Sequence, residues 1–99
     1  MDKNEAIELA KAYKQLVCRH FDVKDTILYG SYCNGTQTEE SDIDIAVVVD
    51  EIKGDYFDYV PLLWKLKRQV NNLIEPVLIC RNDDKLNFLA EIKRYGISV

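Results

Sequence analysis

The spacing of hydrophobic residues predicts a helix at the start of the chain and a strand after it. Over residues 4–20 the apolar positions recur every three or four residues, which places them on one face of a helix, and Asn4 is positioned to cap its start. Residues 26–29 are predicted to form a buried strand that ends before Gly30. The polar stretch from Ser31 to Ser41 then forms a connection with room for one helical turn at its start.

The middle of the chain predicts a central strand and a second helix. Residues 42–49 read DIDIAVVV, and their β-branched density predicts a strand that is covered on both faces after Asp44. Beyond a polar loop, apolar residues spaced by three and four predict a helix from Tyr59 to Leu73. Pro61 fits only in the first turn of that helix.

The remaining residues predict one more strand and one more helix. Leu73 to Cys80 reads as a strand, and Pro76 places it at an edge or a bulge. Asp84 is expected to cap a helix that carries Leu86, Leu89 and Ile92. Gly96 lies where the residue after a helix end is expected.

These elements predict an α/β (α+β) fold in which a small mixed sheet of three or more strands has helices packed on one face. The two long helices can cover that face together. A length of 99 residues fits a single domain spanning residues 1–99.

Charge and composition limit the partners and the compartment. The net charge of −4 and the scattered basic residues disfavour direct nucleic-acid binding, and the short basic group Lys65, Lys67 and Arg68 reads as a solvated helix face. An acidic chain also needs cations to bind a phosphate substrate. No apolar run approaches the ~20 residues of a membrane span and no leader is evident, so we expect a cytoplasmic protein with no membrane contact. Cys18, Cys33 and Cys80 are then reduced thiols, with Cys33 the one that could react.

Two aspartates in the DIDIAVVV strand are the strongest chemical signal. Side chains alternate along a strand, so Asp42 and Asp44 point to the same side, with Cα atoms about 6.6–7 Å apart. Carboxylates at that spacing can bridge two divalent ions, and without a cation they raise each other's pKa. Mg²⁺, a hard cation that prefers oxygen ligands, relieves the repulsion.

A third carboxylate and a glycine–serine pair complete the candidate site. Glu75 lies near the start of the strand that follows a helical crossover, and such crossovers usually return the chain parallel and nearby, which would set Glu75 beside the two aspartates. Gly30 permits close approach of the backbone to a phosphate. The Ser31 hydroxyl and nearby N–H groups can donate to phosphate oxygens.

The stretch LYGSYCNGTQTEESDIDIAVVV, with glycine-serine, ten residues and Asp-x-Asp, resembles the signature of minimal nucleotidyltransferase domains of the DNA polymerase β-like superfamily. The resemblance covers essentially the whole chain. It implies that Gly30 and Ser31 bind the triphosphate of ATP and that Asp42, Asp44 and Glu75 are the catalytic, metal-binding carboxylates for two Mg²⁺ ions, with Mn²⁺ an alternative. The family more often has Asp at the place of Glu75.

Minimal domains of this kind resemble the antitoxins of prokaryotic toxin–antitoxin systems, whose partner is an all-helical HEPN toxin. The resemblance implies transfer of AMP to a tyrosine hydroxyl of that toxin. We expect the acceptor to be held by a partner or a second copy, because no acceptor-holding domain is evident. A non-catalytic antitoxin that binds its partner and an enzyme that modifies a small molecule, such as an antibiotic, are the alternatives, and a homodimer is left open.

Several other residues have a structural and a functional interpretation. His20, at the end of the first helix, is expected to be structural. Tyr56, Phe57, Tyr59 and Trp64 could form a platform for base stacking, but Tyr59 and Trp64 are expected to pack at helix positions.

Overall fold

The computed structural model describes residues 2–38, 40–52, 54, 56–84 and 87–99. The helices α1–α4 and strands β1–β4 occur in the order α1 (Lys3–Val17), β1 (Asp25–Tyr29), α2 (Ser31–Asn34), β2 (Ile43–Val49), α3 (Tyr56–Lys67), β3 (Ile74–Cys80), α4 (Phe88–Tyr95) and β4 (Ile97–Ser98), with a 3₁₀ turn at Arg81–Asp83. The strands form one sheet in the order β3-β2-β1-β4. β2 runs parallel to β3, and β1 runs antiparallel to both β2 and β4, so the predicted mixed sheet is confirmed.

The hydrophobic core lies on both faces of the central strand β2, as its sequence predicted. Ile43, Ile45 and Val47 belong to a cluster with buried residues of α1 and α3. Ala46 and Val48 belong to a second cluster with Leu89 and Ile92 of α4 and with Ile79 of the neighbouring strand β3. The two long helices therefore share one face of the sheet, and the short helix α4 covers the opposite face. Burial on both sides explains why β2 is a nearly continuous apolar run.

Helix α1 begins and ends earlier than the sequence suggested. The Asp2 carboxylate, and not Asn4, caps the helix by accepting the Glu5 N–H at 2.8 Å. The helix ends at Val17, and the Val17 carbonyl accepts the N–H of His20 in the following turn. The predicted apolar face of α1 is confirmed, because Ala6, Ala10, Tyr13 and Val17 are buried.

Helix α3 also differs from its predicted bounds. It begins at Tyr56, so Pro61 lies in the second turn and not the first, and it ends at Lys67, before Val70 and Leu73. The reason is the tight turn before β3, in which the Asn71 side-chain oxygen accepts the Leu73 N–H at 2.8 Å. Val70 and Leu73 still pack against the core, which is why they matched the helical spacing.

The edge position of β3 is confirmed, and with it the interpretation of Pro76. β3 pairs with β2 alone among the described strands, so the missing N–H of Pro76 need not weaken a second ladder. No helix in the described ranges has the length and apolar character needed to span a membrane.

The C-terminal segment contains helix α4, which the sequence predicted, and strand β4, which it did not. The Asp84 carboxylate accepts the N–H groups of Phe88 and Leu89 at 3.1 and 2.7 Å, so it bonds to the start of α4 as expected. The helix begins later than predicted, however, at Phe88 with Asn87 in the N-cap position, and Leu86 lies outside the described residues. Gly96 has an extended backbone (φ −90°, ψ 176°), so it is not a left-handed helix end. A Cβ there would lie 2.6 Å from Ile27 Cγ2, and this close approach lets β4 pair with β1.

Candidate metal and nucleotide site

The strand register aligns Tyr29, Asp44 and Glu75 in one row across β1, β2 and β3. Tyr29 pairs with Asp44 across the antiparallel ladder, and Asp44 pairs with Glu75 across the parallel ladder. Asp44 lies two residues from Ala46, which faces α4, so its side chain is on the α4 face of the sheet. Asp42 is exposed and immediately precedes β2. The parallel return of β3 therefore sets Glu75 beside Asp44, as the crossover argument predicted.

The electrostatics of this row show that the carboxylates influence one another. Burial, then the charge of Glu75, then the charge of Asp42 raise the pKa of Asp44 to about 6. Burial, followed by the charges of Asp44 and Glu75, raises the pKa of Tyr29 to about 12. Negative charge is thus concentrated at this end of the sheet, where it would favour the binding of a cation.

Gly30 connects β1 to α2 in a conformation that only glycine adopts readily. Its backbone has φ 79° and ψ −147°. A Cβ at this position would overlap Asp44 Oδ2 and would lie 3.2 Å from Asp44 Cγ. The Gly30 carbonyl accepts the N–H groups of Cys33 and Asn34, which closes the turn after Ser31. Gly30 therefore makes room for the carboxylate of Asp44, a role that sequence reasoning missed, while its role in phosphate binding stays a prediction.

The three candidate ligands have the chemical type and the positions in the fold expected for binding a hard divalent cation. Their side chains are not arranged in a complete coordination geometry. All three candidate ligands are carboxylates, which Mg²⁺ and Mn²⁺ prefer. Within the described ranges, however, no three Asp, Glu, His or Cys side chains are arranged to hold a metal ion. The register pairs Asp44 with Glu75, and Asp42 lies two residues before Asp44, so the backbones of the three candidate ligands are close to one another.

Comparison with known proteins shows which family this chain belongs to. The family model described as "Polymerase beta, Nucleotidyltransferase" matches residues 6–99. The chain belongs to this nucleotidyltransferase family. The fold and the type of enzyme expected from the glycine-serine and Asp-x-Asp motifs are therefore confirmed.

Relatives of this nucleotidyltransferase occur in Methanocaldococcus jannaschii. A protein named "Putative protein adenylyltransferase MJ0141" is 29% identical over 99 residues, covering 96% of this chain and 99% of that protein. Another, named "Putative protein adenylyltransferase MJ1379", is 39% identical over 66 residues, which is 66% of each chain.

Two solved structures share the nucleotidyltransferase fold. A protein from Sulfolobus solfataricus described as a "putative nucleotidyltransferase" has a TM-score of 0.73 at 19% identity, covering 97% of this chain and 80% of that one. A mutant of the toxin–antitoxin MntA–HpeT has a TM-score of 0.58 at 21% identity, covering 99% of this chain and 72% of that one. At these identities the similarity supports the fold alone.

Other residues considered from the sequence lie away from the carboxylates of the nucleotidyltransferase. Tyr59 stacks on Phe21 with ring centroids 4.8 Å apart, so its packing role is confirmed. Trp64 was expected to pack but is 39% exposed, with Lys67 Nζ 4.9 Å from its ring centroid, because its position on α3 faces outward. His20 is exposed, and the side chains of Tyr56 and Phe57 lie outside the described part of the chain.

The cysteines of the nucleotidyltransferase are free thiols, as predicted. Cys33 Sγ donates to the Leu28 carbonyl at 3.1 Å, and burial raises the pKa of the Cys33 thiol. Both observations favour the protonated thiol, which is the form expected of a structural cysteine.

Proposed function

We propose that this nucleotidyltransferase moves AMP from ATP to a tyrosine hydroxyl of a partner protein, using divalent cations held by Asp42, Asp44 and Glu75. The observation that carries the proposal is the strand register, in which Asp44 pairs with Glu75 on one side and adjoins Gly30 on the other. Mg²⁺, with two ions in the site, is the proposed cation, and Mn²⁺ is an alternative.

The proposed reaction is a phosphoryl-type displacement at the α-phosphorus of ATP. The tyrosine oxygen forms a bond to the α-phosphorus, the bond from that phosphorus to the oxygen bridging to the β-phosphate breaks, and pyrophosphate leaves. The hydroxyl proton passes to solvent. Bound cations would neutralise charge on the phosphates and orient the reacting oxygens. In this scheme Asp42 and Asp44 hold cations, and Glu75 completes the site on the side of the attacking hydroxyl.

The triphosphate is proposed to lie against the turn at Gly30 and Ser31. Gly30 has no side chain to block the backbone, and Ser31 carries a hydroxyl that can donate to a phosphate oxygen. The turn adjoins Asp44 directly, so phosphates bound there would lie next to the cation ligands.

The proposed acceptor is a HEPN-type toxin, which would make this chain an antitoxin. The names of the relatives support transfer to a protein, and the fold shared with the toxin–antitoxin MntA–HpeT supports a toxin partner. The acidic character of the chain supports a protein acceptor over a nucleic acid.

Mass spectrometry tests this proposal. The purified protein is mixed with ATP, Mg²⁺ and the protein that the neighbouring gene encodes. We expect the partner to gain the mass of AMP and Asp44→Asn to abolish that gain. Asp22→Asn is the matched control, because Asp22 is a surface partner of Lys24 and lies outside the site. An unmodified partner in the wild-type reaction would refute the transfer.

A second candidate function is neutralisation of the partner by binding alone. Asp42→Asn discriminates between the two functions, since Asp42 is exposed and its substitution should leave the fold intact. Neutralisation that survives this substitution would favour binding alone.

A further inference from the structure

A cleft of about 440 Å³ adjoins the candidate site between helices α2 and α4. We call it the α2–α4 cleft. Its lining includes Tyr29, Gly30, Cys33, Phe88, Glu91 and Tyr95. The volume lies within the range of small-molecule sites, and the mixture of aromatic rings with few polar groups is typical of them.

Two exposed aromatic residues of α4 line this cleft. Three large hydrophobic side chains are exposed among the described residues, and two of them, Phe88 (41%) and Tyr95 (63%), line the α2–α4 cleft. Phe88 meets Tyr29 edge to face, with ring centroids 6.2 Å apart and planes at 88°. This contact holds the Phe88 ring in place while much of its surface stays open to a ligand.

The spacing of residues on α4 explains how one short helix serves both the core and the cleft. Leu89 and Ile92 are buried against the sheet. Phe88, Glu91 and Tyr95 are spaced by three and four residues, so they share a neighbouring face, which borders the cleft. A carboxylate between two aromatic rings offers a hydrogen-bond acceptor to a flat ligand that carries N–H groups.

We propose that the α2–α4 cleft binds the adenine base of the donor nucleotide, with Phe88 and Tyr95 contacting the ring and Glu91 accepting a hydrogen bond from its exocyclic amino group. This inference rests on the proposed function for the position of the triphosphate. Gly30 belongs to both the cleft and the turn proposed to bind phosphate. The base is tethered to the phosphates by one ribose, so it must lie close to that turn.

The order of strands assigns the cleft to the donor and not to the acceptor. The cleft borders β1 through Tyr29, whereas Glu75, on the proposed side of the attacking hydroxyl, lies on β3. Asp44 on β2 separates the two. Because the attacking and leaving oxygens are roughly in line at phosphorus, donor and acceptor must approach the cations from different sides.

Equilibrium binding of two magnesium-loaded probes tests the inference. ATP carries both the base and the phosphates, while inorganic tripolyphosphate carries only the phosphates. We expect Phe88→Ala to weaken ATP binding about tenfold or more, the change expected for the loss of one base-stacking contact, and to leave tripolyphosphate binding unchanged. Trp64→Ala, which removes an exposed aromatic residue on α3, should change neither. Circular dichroism establishes that each variant is folded.

Glu91→Gln provides an independent variant at an exposed position. Uracil has a carbonyl in place of the adenine amino group, and the side-chain amide of this variant could donate a hydrogen bond to that carbonyl. We therefore expect the preference for ATP over UTP to fall about tenfold, which is the size expected for one hydrogen bond to a charged group. If Phe88→Ala disturbs the fold, Glu91→Gln alone tests whether the α2–α4 cleft binds the base.

Three outcomes would overturn the inference, and they separate it from the proposed function. Unchanged ATP affinity in both Phe88→Ala and Glu91→Gln would refute the base site while leaving transfer intact. A rise in the KM for the acceptor protein with unchanged ATP affinity would assign the cleft to the acceptor. A wild-type protein that binds neither probe would refute both proposals.

Discussion

Gly30 and Asp44 lie so close together that the candidate site has no space for a side chain at position 30. The positive φ of Gly30 directs the missing Cβ at the Asp44 carboxylate, and only a hydrogen atom fits there. The turn after β1 and the central carboxylate of β2 thus constrain each other. Two motif residues separated along the chain act as one structural unit.

Gly30→Ala should therefore damage both stability and activity. Left-handed strain alone costs about 1–3 kcal/mol, and displacement of the Asp44 carboxylate should reduce transfer further. Gly35→Ala is the matched control, since Gly35 also has a positive φ (76°) but has no atom near its missing Cβ. Chemical denaturation and the transfer assay measure the two effects. Equal loss of activity in both variants would contradict the specific contact with Asp44.

The raised pKa of Asp44 predicts a pH dependence of stability in the metal-free protein. The pKa of the folded state, about 6, exceeds the ordinary value of 3.8, so between these pH values the folded state binds more protons than the unfolded state. The contribution of Asp44 to the free energy of unfolding therefore falls as pH rises from about 4 to about 6 and is constant above that. Because the carboxyl group is only partly buried, the loss should be on the order of 1 kcal/mol after solvent screening.

Denaturation in EDTA across this pH range, comparing wild type with Asp44→Asn, isolates that contribution. The stability difference between the two proteins should grow in favour of Asp44→Asn as pH rises to about 6. Glu75→Gln should move the transition to lower pH, because the charge of Glu75 raises the pKa of Asp44. A stability difference between the two proteins that does not vary with pH would contradict the raised pKa of Asp44.

Tyr13→Phe should destabilise the protein by about 1 kcal/mol. The Tyr13 side chain is fully buried, and its hydroxyl donates to the Leu63 carbonyl at 2.8 Å, which links α1 to α3. Tyr95→Phe is the control, since Tyr95 is 63% exposed. Urea denaturation measures both, and an unchanged midpoint for Tyr13→Phe would mean that this hydrogen bond contributes no net stability.

Gly96→Ala should cost about 1–3 kcal/mol by overpacking. The added Cβ would lie 2.6 Å from Ile27 Cγ2, 2.7 Å from the Ile92 carbonyl oxygen and 2.9 Å from the Leu28 carbonyl oxygen. Two of these three neighbours are backbone atoms, which cannot move aside easily. Thermal denaturation should show the loss, and amide exchange should show weaker protection where β4 pairs with β1. Wild-type stability would contradict the close approach.

The hydrophobic pattern predicted most of the fold. The helical repeat indicated the buried stripe of α1, and the continuous apolar run of β2 indicated burial on both faces, because both patterns are local properties of the chain. Helix ends were less well predicted, since Asp2 and Asn71 form hydrogen bonds that no apolar pattern encodes. The strand β4 has two residues, too few to show any alternation.

For the candidate site, the sequence by itself determined that Asp42 and Asp44 are two residues apart at the start of an apolar run and that a glycine precedes Ser31. Only the tertiary structure decided that Glu75 pairs with Asp44, that Gly30 is held against the same carboxylate and that Phe88 borders the adjoining cleft. The physical reason is distance along the chain. Strand alternation fixes neighbours two residues apart, whereas register between strands and the position of a helix depend on how the whole core packs.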